Sequence, residues 1–235
     1  MALSISQTVA LGNLLKPGMR IASMGYPDII APMDTYLRLF SNDDGSSLEY
    51  RNDSAAICKR HGLEYRLIPD ADSFFRMMNC ELDVYDIVRE RGCEIVLDLN
   101  GPMGPGPQYD VVLDVGTLEH CMNIGQAAIN MAVMVKVGGH ILHENPFNWG
   151  NHGLYNLNPT WYHDFYTPNG FKLLQCRLVR KDGTGIDAPP TERFVCVEEE
   201  LNVFAVAQRL EVRPMVFAMQ SKYAKMHAKL TAKET

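Results

Sequence analysis

The chain has 235 residues, 46% of them apolar, with a formal net charge of −6. That length suits one α/β domain with a sizeable core, and the mild acidity argues against a general phosphate-backbone binder, so no nucleic-acid partner is expected. No apolar run is long enough to cross a bilayer, and residues 1–15 lack the basic stretch of a secretory signal. The six cysteines (Cys58, Cys80, Cys93, Cys121, Cys176, Cys196) are scattered without a C-x-x-C pair, which predicts a cytoplasmic location and no zinc or disulfide framework.

Residues 1–19 read as a leader helix ending at Lys16-Pro17-Gly18. Met19 to Met24 reads as a short strand, followed by the turn Gly25-Tyr26-Pro27-Asp28, where glycine supplies positive φ and proline fixes the exit. Met33–Phe40 reads as a helix, 41–47 as a polar loop, and 53–61 as a helix stopped by Gly62. A short strand over 64–68 and a helix over 72–78 follow. Glu81–Ile87 alternates like a strand and ends on a carboxylate, and Cys93–Leu99 reads as a second strand that ends near an acid. The loop 100–108 contains G-P-M-G-P-G-P and fits neither helix nor central strand.

Tyr109–Val115 is a Val-rich run interrupted by Asp114, the pattern of a strand buried on both faces at the centre of a parallel sheet. It breaks at Gly116-Thr117, and such a break opens a crevice where ligands of open α/β sheets bind. Ile124–Val135 has helical apolar spacing and ends at Lys136-Val137-Gly138-Gly139. His140–His143 is a strand. Residues 148–166 are dense in aromatics, Asn and His. A long strand over 170–179, a polar loop over 182–193, a final strand over 201–209 and a Lys/Ala-rich helical tail over 221–235 complete the chain. This order predicts a mostly parallel sheet with an antiparallel edge.

The acid-tipped strand at Asp86, the Asp98-Leu99-Asn100 segment, Y-D-V-V-L-D-V-G-T-L-E-H over 109–120 and V-K-V-G-G-H-I-L-H-E-N-P over 135–146 resemble the class I S-adenosylmethionine-dependent methyltransferases of the small-molecule and glycan type. The resemblance covers residues 81–180 and is loose over 19–80. It departs at the first turn, where one glycine, Gly25, stands in place of G-x-G-x-G. The long interval from Asp28 to Asp86 reads as a helical insertion over 29–80. The resemblance implies one domain over 1–235 with a Rossmann-like, mostly parallel seven-stranded sheet, an antiparallel edge strand and helices on both faces. It further implies S-adenosyl-L-methionine as cofactor, S-adenosyl-L-homocysteine as product and a small-molecule or sugar-like acceptor. No membrane partner is expected, and a homodimer is compatible with this reading.

Carried onto this sequence, the resemblance puts Gly25 and Tyr26 at the cofactor turn. It gives the ribose hydroxyls to Asp86 with Ile87 beside it, the adenine to Asp98, Leu99 and Asn100, and the sulfonium to Val115, Gly116 and Thr117. Read from residue type alone, the two acids serve equally as turn or capping residues. Methylation of a hydroxyl needs a proton acceptor, and a histidine of near-neutral pKa suits that task. His152, between Gly150 and Gly153, is the expected general base, with Glu144 and His143 nearby and His120 of L-E-H as a buried, carboxylate-supported imidazole or a second base. Asn148, Trp149, Tyr155, Trp161 and Tyr162, in a substrate-side loop insertion over 148–166, offer stacking faces and amides to the acceptor; part of this set packs the insertion onto the sheet. The His and acid spacing matches no standard zinc motif, so no metal is expected. Two further readings stay open: a non-catalytic methyltransferase-like binding or scaffold protein, and another adenosine-nucleotide-binding α/β enzyme.

Overall fold

Eight strands form one sheet. Across it they run β5 (Ile95–Val96), β4 (Glu81–Asp86), β2 (Arg20–Met24), β6 (Tyr109–Asp114), β7 (Val135–Pro146), β10 (Asn202–Arg209), β8 (Phe171–Val179) and β9 (Gly185–Asp187). The computed structural model describes residues 2–32, 34–35, 48–196, 198, 200–224 and 226. Strands β5, β4, β2, β6 and β7 pair in parallel, while β7–β10, β10–β8 and β8–β9 are antiparallel. A separate parallel pair joins β1 (Ala2–Leu3) to β3 (Asp28–Ile29).

Among the described residues, the helices that pack on the sheet or beside it are α1 (Ile5–Leu14), α2 (Ser54–His61), α3 (Ala71–Met77), α4 (Ile124–Met134) and α5 (Pro159–Tyr166). Ser4 and Gln7 close a reciprocal capping box at the start of α1. Gly62, at φ 65°, ends α2 in the left-handed conformation that glycine tolerates. On one face Leu11 of α1 and Phe74 and Phe75 of α3 pack against Ile21, Val111, Leu113 and Leu142. On the other, Ala128 and Met131 of α4 and Tyr162 and Phe165 of α5 pack against Ala22, Val112 and Ile141. Successive β6 residues thus alternate between two cores, which is why the run had to be apolar on both sides.

The α/β architecture with helices on both faces is the one expected, with eight strands rather than seven. Its antiparallel strand β10 lies inside the sheet rather than at the edge, because Val203 to Ala207 are apolar and buried on both faces. The edge is β9, drawn from the polar loop 182–193. β5 is shorter than expected because the preceding turn wraps around Glu94, whose buried carboxylate accepts the N–H groups of Arg91 and Gly92. Residues 64–68 form no strand; only an isolated Tyr50–Pro69 bridge lies there. The second half of the aromatic stretch is α5 rather than loop. Most of the expected helix Met33–Phe40, the loop 41–47 and the tail from 227 lie outside the described residues.

The K-V-G-G segment explains how a helix can run almost directly into a strand. Tyr109 pairs with Val135, but Val111 pairs with His140, so 136–139 bulge out of the ladder. Gly138 takes φ 84°, and a Cβ on Gly139 would lie 2.8 Å from the Asp110 carbonyl oxygen. The obstacle is backbone, which cannot swing aside. Gly139→Ala is therefore expected to cost about 1–3 kcal/mol, seen as a lower urea midpoint at an unchanged slope.

Candidate functional site

From β2 the chain builds outward through β4 to β5, then crosses back to β6 and β7 on the other side. The strand order therefore reverses between β2 and β6, and in open α/β sheets that reversal opens the ligand crevice at the carboxyl ends. The register is level there: Met24 pairs with both Tyr85 and Asp114, and Asp114 pairs with His143. Gly25, Asp86 and Val115 follow one residue on, at the same edge. The Thr117 hydroxyl donates to the Met24 carbonyl at 2.7 Å and so ties the two sides of the reversal together. Gly25, at φ 86°, extends the ladder by donating to the Tyr85 carbonyl at 2.6 Å.

On the β4 side, Asp86 is half-buried and accepts the Val88 N–H, while the Ile87 side chain is 63% exposed and leaves an apolar surface beside it. Asp98 is exposed and accepts the backbone and side-chain amides of Asn100, both at 2.9 Å, and these bonds hold its carboxyl below the usual range. Asn100 in turn binds Asn123, the cap of α4, and Asn130 of α4 donates to the Leu99 and Gly101 carbonyls. The 98–100 segment is thus a fixed turn anchored to α4, with Leu99 buried beneath it.

Tyr26 is buried, and its hydroxyl donates to Asp70 at 2.6 Å. Burial and the Asp70 carboxylate push its phenol up. The guanidinium groups of Arg91 and Arg51 lie 4.6 and 5.5 Å from its ring centre. A cleft of about 520 Å³ adjoins it, lined in part by Arg51, Asp53, Asp70, Glu90 and Arg91.

On the β7 side, a buried polar network fills the space between the sheet and α5. Asp114, fully buried, accepts Nδ1 of His143 at 2.7 Å, the Asn145 amide at 2.8 Å and the Thr117 N–H at 2.9 Å. Burial opposes its charge, but His143 and these donors outweigh that and hold its pKa low. Nε2 of His143 meets the Tyr166 hydroxyl, and Asn145 accepts from Tyr162 and donates on to Glu119 at 2.9 Å. Strand alternation explains the set: residues 114, 143 and 145 share the face of Val112 and Ile141, where α5 packs.

Glu119 links this interior to the surface. Its side chain is 1% exposed, whereas His152 and His120, 3.6 and 3.9 Å from its Oε1, are about half exposed. Burial, then the charge of Asp114, raises the Glu119 carboxyl to about 7. His120 is lowered by burial and by His152. Within L-E-H it is therefore the glutamate, not the histidine, that is buried, because the 3₁₀ turn Leu118–His120 directs Leu118 and Glu119 inward.

The expected grouping of His143 and Glu144 beside His152 does not form. His143 is fully buried with both ring nitrogens engaged. Its neighbour Glu144 accepts from Ser4 and Asn202 on the opposite, α1 side of the sheet, and burial raises its pKa. The aromatic stretch divides. Tyr162 is in the core, and Trp161 stacks on Phe165. Trp149 donates to Leu201 and sets its edge against His152, Tyr155 donates to Met122, and Asn148 bridges to Glu198 and Leu201. Asp114 and Asn145 are the members that residue patterns did not single out as site residues. The available signal was an acid inside an otherwise apolar central strand, which must be paired if it is buried.

No protein-family model and no curated protein matches the sequence. Among solved structures the chain is similar to the 1,6-didemethyltoxoflavin-N1-methyltransferase of Burkholderia thailandensis, with TM-score 0.48 and 11% identity over 88% of this chain and 78% of that one. It is also similar to the N-methyltransferase NodS of Bradyrhizobium japonicum, with TM-score 0.47 and 12% identity over 88% and 94%. A third likeness is to the glycopeptide N-methyltransferase MtfA, with TM-score 0.40 and 12% identity over 88% and 95%.

Proposed function

We propose that this chain is an S-adenosylmethionine-dependent methyltransferase that methylates a hydroxyl of a small, sugar-like or planar acceptor. The observation that carries the reading is the reversal of strand order between β2 and β6. It puts Gly25, Asp86 and the Val115–Thr117 break at one carboxyl edge, with Asp98 beyond β5 and the Glu119–His152 cluster beyond β6. Asp86 takes the ribose hydroxyls, Ile87 and the 98–100 turn flank the adenine, and Gly116 leaves room for the sulfonium. Without a glycine-rich first turn, the zwitterionic methionine end needs other partners. The cleft beside Tyr26 offers Arg51 and Arg91 for its carboxylate and Asp70 and Glu90 for its ammonium.

The acceptor lies on the other side of the reversal, against His152, Trp149 and Tyr155. Its oxygen attacks the methyl carbon as the S–CH₃ bond breaks, and S-adenosylhomocysteine leaves. The hydroxyl proton passes to Nε2 of His152, whose positive charge is stabilised by ionised Glu119. His143 and Asn145 act behind Glu119 as positioning residues. Most of the acceleration comes from alignment and exclusion of water, and the base adds about two to four orders of magnitude.

Calorimetric titration tests the cofactor half directly. S-Adenosylhomocysteine is expected to bind the parent, and Asp86→Ala to bind it about ten- to a hundredfold more weakly, the loss of a charge-assisted hydrogen bond. No heat from S-adenosylhomocysteine or S-adenosylmethionine at millimolar concentration would overturn the reading.

A further inference from the structure

We propose that Glu119, His120 and His152 form a binding site for one divalent transition-metal ion, with Oε1 of the glutamate and Nε2 of each histidine as ligands. Their ligand atoms all lie within 4.8 Å of one another, and the glutamate-to-histidine separations are 3.6 and 3.9 Å. A tetrahedral ion with ligands at about 2.0–2.1 Å holds them about 3.3 Å apart. Closing on an ion therefore asks only modest swings of two half-exposed imidazoles.

The surroundings hold the carboxylate in place for this. Asn145 donates to Oε2, which leaves Oε1 directed at the histidines. The Glu119 carbonyl receives the N–H groups of Leu154 and Tyr155, so the loop bearing His152 is fastened to the residue it would share an ion with. Gly153 sits so close that a Cβ there would lie 2.9 Å from Cγ of Glu119. Hydrogen bonds of this kind behind a ligand set orient it and tune its affinity.

Charge favours the same occupant. Asp114 and Glu119 are both buried and share the amide of Asn145, but only Asp114 has a buried imidazole against it. Glu119 faces two imidazoles that repel each other when both are protonated. One cation held by neutral imidazoles offsets the buried carboxylate without that repulsion. Two nitrogens and one carboxylate suit zinc, iron(II), cobalt or nickel rather than magnesium or calcium, which prefer oxygen. Three protein ligands leave a coordination position for water or an acceptor oxygen.

Metal binding stands apart from methyl transfer; its use in catalysis rests on the proposed function. In the loaded chain an acceptor hydroxyl at the open position would be acidified by the ion, and His152 would be a ligand rather than the base.

The test uses the full chain carrying Cys93→Ser, which removes an exposed thiol that could bind zinc on its own. After treatment with EDTA it is titrated with zinc chloride by calorimetry and with cobalt chloride by visible absorption. One equivalent at micromolar affinity or tighter, with cobalt d–d bands, is expected. His120→Ala, His152→Ala and Glu119→Gln should each weaken binding at least tenfold with unchanged far-UV circular dichroism. Absence of stoichiometric binding overturns the site, as does a double His120→Ala/His152→Ala variant that binds as the parent does. S-Adenosylhomocysteine titrated in parallel separates the two readings: metal binding without nucleoside binding overturns only the methyltransferase, and the converse overturns only the metal site.

Discussion

Asp114→Ala is expected to destabilise the fold by about 3–5 kcal/mol, since each buried donor left without its acceptor costs about 1–3 kcal/mol. Asp114 is fully buried and serves five donors in all, from His143, Asn145, Thr117, Leu118 and, through its carbonyl, Gln7. The side-chain truncation takes the acceptor away from the buried imidazole of His143 and from one N–H of the Asn145 amide. For a chain of this length each kcal/mol moves the melting temperature by roughly 2–4 °C, so a drop of roughly 6–20 °C should appear in a thermal scan. Asp114→Asn keeps an acceptor for the Thr117 and Leu118 N–H groups and should fall between the two. An alanine variant that melts within about 2 °C of the parent would contradict the network.

Glu119→Gln is expected to raise stability at alkaline pH while lowering activity. The folded-state pKa of Glu119, about 7, lies above the value of 4.5 expected of the unfolded chain. The native state therefore binds the extra proton between those values, and its stability falls as pH rises from 4.5 to 7. The full swing is on the order of 3 kcal/mol. Glutamine has no such proton, so the difference in stability between variant and parent should grow across that window and level off above it. Turnover of the metal-free chain should move the other way. It rises through about pH 7 as Glu119 ionises and can stabilise the protonated His152. The variant should lose that inflection and about a hundredfold in kcat. Chemical denaturation at pH 5 and pH 8, alongside a pH–rate profile, checks both signs. A parent and variant with parallel stability profiles would remove Glu119 from this role.

The elements that were legible in the sequence are those whose side chains see only local neighbours or a symmetric environment. The Val111–Leu113 run announces a strand between two cores, and Gly62 announces the end of α2. Placement of β10 was not legible, because both its partners reach it through long connections and its composition suits an interior strand of either direction. Glu94 shortened β5 by a contact that hydropathy does not register. At the site, sequence adjacency misled: His143 and Glu144 are neighbours in the chain, but strand alternation sends them to opposite faces. The true neighbours of His152 come from the 3₁₀ turn after β6, which the L-E-H segment marked without showing which of its two polar residues turns inward.

The interior position of β10 has a consequence for how the protein comes into being. During synthesis β7 and β8 emerge well before residues 202–209, so the long edge of β7 and the edge of β8 away from β9 stay unpaired until β10 has been made. These are apolar edges of the kind that recruit foreign strands, and closure through such distant partners is slow. The parallel half, β4–β2–β6–β7 with α1, α3 and α4, can assemble first and wait. β10 then acts as a keystone, and the time between ribosome and keystone is when this chain is most exposed to aggregation.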